Sequence, residues 1–360
     1  MIDYKLIPAT DHIAWMEILQ FCGIYDIYHL PQYHLMAEEM GEGVPYLFSF
    51  QMNGLYAAFP FLLRPISNVK WLETCRYNDV TSVYGYPGVV TLVKEDSVDA
   101  GIFRLAFQQA LLQIFDQLSI VSFFSRTNPL LHNTWIFKGM AELLPLSMTI
   151  AIDLSSPEKE QLQGISKGHK CDIRKGRNLG IVVEEDVYFQ FIDEFIFIYN
   201  ETMRRNQACE KYFFLKDYYL YLKINFGESV KLYFAKLDGQ AISAAMFFMS
   251  GKIIQYHLSG TLSEYLFLNG AKLILDEVRK IGKENGFTWL HLGGGVGSSE
   301  DSLYRFKAGF SKVRQTYEVV RMIINQEKYD ELLELRFDIG QNIGDRLLDK
   351  NYFPAYRLPL

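Results

Sequence analysis

The sequence predicts a mixed α/β protein of the α+β type, built from two similar halves, and three observations lead to this fold class. Helical and extended patterns alternate along the chain, as expected where helices pack against sheets. Asn53-Gly54 and Asp238-Gly239 each separate two apolar runs and predict β-hairpins, because the central residues of such turns need positive φ angles. A long amphipathic helix and a short apolar strand follow each hairpin. We interpret this repeated layout as a structural duplication.

The first half, residues 1–150, contains every element of that layout. Its predicted elements are a strand at Tyr4–Pro8, helices at Thr10–Phe21 and Gln32–Met40, strands at Tyr46–Gln51 and Leu55–Leu63, a helix at Asp96–Gln117 and a strand at Ile120–Phe124. We expect Thr10 to cap the first helix, since a threonine hydroxyl accepts a hydrogen bond from a backbone N–H of the first turn.

The second half, residues 151–325, follows the same order. Its predicted elements are an extended stretch at Thr149–Leu154, a helix opened by Ser155-Ser156-Pro157, strands at Lys231–Leu237, Ala241–Met249 and Ile253–Leu258, a helix at Tyr265–Asn285 and a strand at Thr288–Leu292. Gly286 is the expected stop of the long helix. A helical pattern over Glu327–Lys350 predicts that residues 326–360 form a tail, which we expect to pack on the first half.

Composition and charge limit the classes of function. Hydrophobic residues make up 49% of the chain and charged residues 22%, which is the balance of a folded globular protein. The sequence has no run of ~18 apolar residues and no signal-peptide pattern, so we expect a cytoplasmic protein without a membrane span. The four cysteines lie far apart, as expected of reduced thiols. A net charge of −6 argues against DNA binding through overall charge.

Several common chemistries have no support in the sequence. It contains no HExxH and no G-x-S-x-G motif, and no two histidines lie four residues apart. The cysteines have neither metal-ligand spacing nor the context of a nucleophile. We therefore expect no metal ion, no tightly bound cofactor, and no serine-hydrolase or redox chemistry.

A basic helix is the first candidate binding element. Lys167, Lys170, Arg174 and Arg177 are three, four and three residues apart, so they share one helix face. Five Lys or Arg residues and one acid lie between positions 167 and 177, in a chain that is acidic overall. Such a stripe suits phosphate groups, which arginine binds in a bidentate manner. The alternative is an ordinary solvated helix face.

A glycine-rich turn followed by a lysine is the second candidate. Gly293, Gly294 and Gly295 follow an apolar strand and precede a short helix at Asp301–Lys307. Glycines let a ligand approach the backbone, although the spacing matches neither a dinucleotide-binding motif nor a P-loop. Lys307 can stabilise negative charge on a reacting carbonyl group. The alternatives are a flexible loop and a surface lysine.

Two further segments carry residue types that are common in binding sites. Tyr256 and His257 end a predicted strand, where they could position an acceptor amine. His257 could also act as a general base, because the ordinary pKa of histidine is about 6.5. The loop around Tyr84 and Tyr86 follows Asp79 and mixes aromatic residues with Gly and Pro, as cleft-lining loops do. A structural histidine and a packed loop without ligand are the alternatives.

The order of these motifs resembles the FemAB-like (Fem-type) branch of the GNAT acyltransferase superfamily. The resemblance extends from about Gln32 to Met322 and covers most of the chain. It is carried by Val83-Tyr84-Gly85-Tyr86-Pro87-Gly88, Ile173-Arg174-Lys175-Gly176-Arg177-Asn178-Leu179-Gly180-Ile181, Tyr199-Asn200-Glu201-Thr202-Met203, Tyr256-His257-Leu258-Ser259-Gly260-Thr261, Leu292-Gly293-Gly294-Gly295, Phe306-Lys307 and Gly309-Phe310.

The resemblance implies two tandem GNAT-like lobes, each a mixed sheet flanked by helices, with a cleft between them. Some members carry a long helical arm in the second lobe, but this sequence has no charged heptad insert, so we expect no coiled-coil arm. Phe306 and Lys307 would lie near the donor, and Tyr84 and Tyr86 would line the acceptor side. Members of this family transfer amino acids from aminoacyl-tRNA to an amine of a peptidoglycan precursor. Relatives in polysaccharide gene clusters acylate amino sugars from acyl-CoA.

The sequence thus predicts an N-acyltransferase in which an acceptor amine attacks an activated ester or thioester directly. Lys307 and the backbone of Gly293–Gly295 would stabilise the oxyanion, and His257, Asp79 or a substrate phosphate would take the proton. The basic helix would hold the phosphates of the co-substrate, aminoacyl-tRNA or acyl-CoA.

The acceptor would be a small-molecule, lipid-linked or nucleotide-linked envelope precursor. One alternative is acylation of a nucleotide-linked amino sugar from acyl-CoA, and another is a non-catalytic ligand-binding protein of the same fold. The sequence does not determine the acyl group or the oligomeric state.

Overall fold

The chain divides into two compact units in a computed structural model that describes residues 1–342 and 352–359. Unit 1 comprises Met1–Leu146 and Thr316–Leu360, and unit 2 comprises Ser147–Gln315. Residues 343–350 of the predicted tail helix lie outside the described residues. Within the described ranges, no helix combines the length and the apolar character needed to cross a bilayer.

The elements alternate along the chain as the sequence pattern predicts. The strands are β1 (Ile2–Pro8), β2 (Val44–Met52), β3 (Leu55–Pro65), β4 (Asn78–Thr81), β5 (Val90–Thr91), β6 (Ile120–Arg126), β7 (Glu142–Asp153), β8 (Val182–Glu185), β9 (Val230–Leu237), β10 (Gln240–Ser250), β11 (Ile253–Thr261), β12 (Trp289–Gly293) and β13 (Arg314–Ile323). The α-helices are α1 (His12–Cys22), α2 (Pro31–Glu39), α3 (Ala100–Gln117), α4 (Glu158–Gly164), α5 (Lys167–Asn178), α6 (Ile192–Arg205), α7 (Lys216–Phe226), α8 (Gly270–Glu284), α9 (Ser302–Ala308) and α10 (Gln326–Asn342).

The sheet of unit 1 has the strand order β1-β2-β3-β4-β6-β13, and β5 pairs with β3. Neighbouring strands are antiparallel except for β4 and β6, which run parallel. The chain passes through α3 between these two strands. A crossover of this length is required because parallel neighbours cannot be joined by a tight turn.

The sheet of unit 2 has the strand order β8-β9-β10-β11-β12-β7. Here β11 and β12 are the parallel pair, α8 lies between them in the chain, and the other neighbours are antiparallel. Each unit therefore has four antiparallel strands, a parallel neighbour reached through a long helix, and a final antiparallel strand. This shared topology confirms the predicted structural duplication.

Both predicted hairpins form with the expected turn geometry. Asn53 and Gly54 have φ angles of 51° and 83°, and Asp238 and Gly239 have φ angles of 50° and 83°. Both central positions of each turn are thus in the left-handed region, where Asn, Asp and Gly are tolerated and most other residues are strained.

Two helices begin later than predicted. The cap of α1 is Asp11 rather than Thr10, and its carboxylate accepts a hydrogen bond of 3.1 Å from a backbone N–H of the first turn. The long helix predicted from Tyr265 begins only with α8, after a short 3-10 segment. Asn269 separates the two because its φ of 57° is incompatible with a right-handed helix.

Each unit has its own apolar core between its sheet and a long helix. In unit 1, Phe50 of β2 contacts Phe103 and Phe107 of α3 edge-on, at centroid distances of 5.2 and 5.6 Å. In unit 2, Ile274 and Val278 of α8 are fully buried in the core beneath its sheet. Edge-on aromatic pairs add about 0.5–1.5 kcal/mol each beyond their burial.

The C-terminal segment of unit 1 is held by the buried carboxylate of Asp79. Its oxygens accept hydrogen bonds from Arg64 Nε at 2.7 Å, from the Tyr356 hydroxyl at 2.9 Å and from Arg357. This placement contradicts the predicted role of Asp79 as a general base, because both carboxylate oxygens are already engaged and the side chain is fully enclosed. Asp79 instead fastens the chain end to β3 and β4.

The basic helix α5 packs closely on α8 at one glycine. A methyl group at Gly176 would lie 2.7 Å from Cδ1 of Leu273, which is closer than van der Waals contact. Gly168 of the same helix has no neighbour within 4 Å of the corresponding position. Both glycines therefore lie in the same helix, but only Gly176 packs closely against a neighbouring side chain.

Replacing these glycines by alanine should have opposite effects. Gly176→Ala should lower the free energy of unfolding by about 1–3 kcal/mol, because the added methyl group overpacks the contact with Leu273. Gly168→Ala should leave it unchanged or raise it by up to about 1 kcal/mol, since alanine favours the helix. Urea unfolding followed by circular dichroism measures both. Equal effects would contradict the close contact between α5 and α8.

Candidate active site

Lys307 lies in the last turn of α9, and its ammonium group is enclosed by protein. The residue is 9% exposed, and its Nζ donates a hydrogen bond of 2.7 Å to the carbonyl oxygen of Gly294. Burial lowers the pKa of Lys307 to about 8, while the charge of Asp301 opposes this shift. At neutral pH the amine is mainly protonated, and Gly294 uses one of its three N–H donors.

The glycine-rich turn that precedes α9 is closely packed against its own chain. A methyl group at Gly295 would lie 2.0 Å from the carbonyl oxygen of Ser299, so the position requires glycine. The Asp301 carboxylate accepts hydrogen bonds from the backbone N–H groups of Val296, at 3.2 Å, and of the first turn of α9, at 2.8 Å. The turn therefore fixes the carbonyl group that Lys307 contacts.

A buried polar chain lies on β12, beside this turn. His291 Nδ1 lies 2.7 Å from Oε1 of Gln255, and its Nε2 lies 2.9 Å from Oγ1 of Thr149. Burial lowers the pKa of His291 to about 3, and the charge of Lys307 acts in the same direction. The imidazole is thus neutral, with one donating and one accepting nitrogen, and it connects β12 to β11 and β7.

The N-terminal turn of the basic helix α5 is joined to α9. His169 Nε2 donates a hydrogen bond of 2.9 Å to the carbonyl oxygen of Phe306, and its ring meets Phe310 edge-on at 4.7 Å. The backbone N–H of Ser166 donates to the carbonyl oxygen of Gly309 at 2.8 Å. Burial lowers the pKa of His169 below its ordinary value, which favours the neutral ring. The structure thus brings the basic helix together with the Phe306-Lys307 motif.

Three of the four predicted phosphate-binding cations are available on α5. Lys167, Lys170 and Arg174 are exposed, and none has a carboxylate within ion-pair distance in the described part of the chain. Arg177, in contrast, forms an ion pair of 2.5 Å with Asp276 of α8. The ion pair engages Nη2 of Arg177 and ties this end of α5 to α8, and a contact of Arg177 with phosphate stays a prediction.

His257 is placed as a structural residue rather than as a general base. Its ring stacks on Phe248 at a centroid distance of 4.1 Å, and Nε2 lies 2.8 Å from the hydroxyl of Tyr218. Burial lowers the pKa of His257 to about 3, so the ring is a weak base at neutral pH. Tyr256, its neighbour, donates its hydroxyl hydrogen to Ser259 at 2.5 Å. These contacts contradict the role predicted for His257.

In unit 1, the predicted acceptor loop places its two tyrosines differently. The ring of Tyr84 is 63% exposed, whereas Tyr86 packs edge-on against Tyr317 at 5.2 Å. Gly85 between them has a φ of 103°, and a methyl group there would lie 2.2 Å from the ring of Tyr28. Only glycine allows this turn, so the loop has a defined conformation.

His169 and His291 form contacts in this site that the sequence did not predict. Neither carries a motif, and their partners lie far away in the sequence. A weak signal was present for His291, which interrupts an apolar strand, as a buried histidine in a polar network does.

The two-unit fold of this chain also occurs in solved structures of other proteins. The chain has the fold of FemX, whose crystal structure aligns with a TM-score of 0.70 and 13% sequence identity over 91% of this chain and 99% of that one. This similarity confirms the fold predicted from the FemAB-like resemblance.

Two further structures show the same fold at a greater distance. L-PGS from Bacillus licheniformis aligns with a TM-score of 0.51 and 15% identity, over 91% of this chain and 96% of that one. A conserved protein of unknown function from Bacteroides thetaiotaomicron aligns with a TM-score of 0.52 and 10% identity, over 89% of this chain and all of that one. No family model matches the sequence, and no curated protein matches it either.

Replacing Lys307 by methionine should change how stability depends on pH. The pKa of Lys307 is about 8 in the folded protein against an ordinary value of 10.5, so between these values the folded protein binds fewer protons than the unfolded chain. By linkage, the wild-type protein should gain up to about 3 kcal/mol of stability relative to Lys307→Met as the pH rises through this range.

Urea unfolding at neutral and alkaline pH measures this difference. Lys312→Met, which removes an exposed lysine near α9, is the control and should show no such trend. A difference between wild type and Lys307→Met that stays constant with pH would contradict the enclosure of a charged amine.

Proposed function

We propose that the protein is an N-acyltransferase that moves an aminoacyl or acyl group from an activated donor onto an amine of a cell-envelope precursor. The observation that carries this proposal is the enclosed ammonium group of Lys307, fixed beside the glycine-rich turn and joined through α9 to the basic helix. The fold of FemX supports the general class of activity. The identities of the donor and the acceptor are proposed from the chemistry of the site.

The chemical step needs no covalent enzyme intermediate. The acceptor nitrogen attacks the carbonyl carbon of the donor ester or thioester, and the carbonyl oxygen becomes a tetrahedral oxyanion. The carbon–oxygen or carbon–sulfur bond then breaks, and the leaving oxygen or sulfur takes the proton that the nitrogen loses. Lys307 would stabilise the oxyanion with an N–H that Gly294 does not use, and such donors contribute most where water is excluded.

The exposed cations of α5 would hold the donor phosphates. Lys167 and Arg174 are seven residues apart, which is roughly 10 Å along the helix axis, with Lys170 between them. An open row of this length suits the backbone of a nucleic acid, which carries many phosphates along one strand. We therefore favour aminoacyl-tRNA over acyl-CoA as the donor.

A transfer assay with labelled donors tests the function directly. A mixed pool of charged tRNA and, separately, acetyl-CoA would be offered with a peptidoglycan precursor or a nucleotide-linked amino sugar as acceptor. Label that moves from tRNA supports the proposal as stated. Label that moves only from acetyl-CoA would make the protein an amino-sugar N-acyltransferase. Binding of these ligands without any transfer would favour a non-catalytic protein of this fold.

Lys307→Met should lower kcat by about 10²–10³-fold, the usual effect of removing one oxyanion donor. Since the ammonium form is required, the wild-type rate should also fall as the pH rises through the Lys307 pKa of about 8. In Lys307→Arg this alkaline decline should disappear, because arginine stays protonated. Lys312→Met is the control and should retain the wild-type rate. Full activity of Lys307→Met would remove Lys307 from the mechanism.

Charge reversal on α5 should separate donor binding from a general charge effect. Arg174→Glu should raise the KM for charged tRNA at least about tenfold and reduce its dependence on salt. Lys175→Glu makes the matched control, because position 175 lies about 100° around the helix from Arg174. An equal effect of both changes would indicate overall charge rather than a donor site.

A further inference from the structure

Arg126, at the end of β6 in unit 1, is a half-buried cation held by aromatic rings. Its guanidinium carbon lies 5.8 Å from the ring centroid of Tyr84 and 5.4 Å from that of Phe124. Its charge also acts on the nearby hydroxyl of Tyr317, whose pKa it lowers against the effect of burial. Among the described residues, no carboxylate lies within ion-pair distance of Arg126.

Three other arginines of the same unit form ion pairs with carboxylates. Arg64 and Arg357 both contact the carboxylate of Asp79, and Arg321 contacts Glu142 at 2.7 Å. A partly buried charge without a carboxylate at ion-pair distance carries a desolvation cost, which stacking on aromatic faces offsets only in part. The arrangement of Arg126 is therefore the one expected of a cation whose anion comes from a ligand.

A second donor lies beside the guanidinium group. Burial raises the pKa of Tyr317 to about 12, so its hydroxyl keeps its proton at neutral pH. A protonated hydroxyl can donate a hydrogen bond to an incoming oxygen atom. Arg126 and Tyr317 thus combine a charged and a neutral donor, as receptors for oxyanions do.

The surrounding loop is fixed before any ligand arrives. Asn128 donates hydrogen bonds of 2.9 Å to the carbonyl oxygen of Tyr86 and to the fully buried carboxylate of Asp26. The backbone N–H of Arg126 donates to Oγ of Ser82 at 3.0 Å. These contacts hold the strand of Arg126 and the loop of Tyr84 in one arrangement, which reduces the entropy lost on binding.

We infer that Arg126, Tyr317 and the exposed ring of Tyr84 form a receptor for a carboxylate group of the acceptor. A carboxylate fits better than a phosphate because the site has a single cation, and the acidic side chain of Glu42 lies close enough to interact with it. A dianion would gain less there, whereas a planar carboxylate matches the guanidinium fork. Only the identification of this ligand as the acceptor rests on the proposed function.

A binding experiment without turnover tests this receptor. The probes are N-acetylalanine, N-acetylalaninamide and inorganic phosphate, and saturation-transfer NMR measures their binding to the full chain. We expect the carboxylate to bind the wild-type protein and the amide to bind at least about tenfold more weakly, as for loss of a charged hydrogen bond. Equal binding of acid and amide, or tighter binding of phosphate, would overturn the carboxylate assignment.

Variants locate the binding and control for folding. Arg126→Gln should weaken binding of the carboxylate about tenfold or more, and Arg126→Lys, which keeps the charge but loses the fork, should weaken it less. Arg76→Gln removes an exposed arginine of the same unit and should bind as the wild type does. If Arg126→Lys folds normally and Arg126→Gln binds with unchanged affinity, the site is elsewhere. Because the readout is binding, a protein that binds the carboxylate but transfers nothing would refute the proposed function alone.

Discussion

The enclosure of one primary ammonium group governs the candidate active site. An ammonium group that leaves water must meet fixed acceptors, since its desolvation is costly. Lys307 meets the carbonyl oxygen of Gly294, and that carbonyl is fixed because Gly295 allows the chain to fold back onto Ser299. Asp301 caps α9 directly after this turn. The side chain of Lys307, near the end of α9, therefore reaches back to the glycine-rich turn that precedes the helix.

Burial favours the neutral form of both neighbouring histidines, and the charge of Lys307 adds to this effect at His291. A second positive charge beside Lys307 would lower the proton affinity of its amine further. His291 is buried and engaged on both nitrogens, and His169 points into the contact with α9. The helix α5 therefore has two separate tasks: a neutral face joins it to α9, and a charged face is left for solvent or ligand.

The parts of this structure that could be predicted from sequence depend on neighbouring residues. The geometry of the turn at Asn53-Gly54 can be predicted because it depends on the φ preferences of these two adjacent residues. The roles of Asp79 and Arg177 were not predictable in this way. Arg357 lies 278 residues from Asp79, and Asp276 lies 99 residues from Arg177. No local sequence pattern therefore predicts either ion pair. Without knowledge of its ion-pair partner, a structural ionisable residue is easily mistaken for a catalytic or binding residue.

Lys307, too, could be predicted only through a family resemblance. A lysine in a short helix is ordinarily a surface residue, and nothing within its own turn indicates that it is enclosed. Its environment is created by the glycine turn, by β12 and by α5, and these come together only in the folded unit.

Lys307 and Arg126 show how the type of cation matches its environment. Lysine carries a compact charge whose pKa responds to burial, so enclosure can bring Lys307 close to the neutral range. Arginine spreads its charge over a planar group, so Arg126 can lie against two aromatic rings. A tunable ammonium group suits a reaction in which charge develops and disappears. A permanent, planar cation suits recognition of a group that is charged throughout.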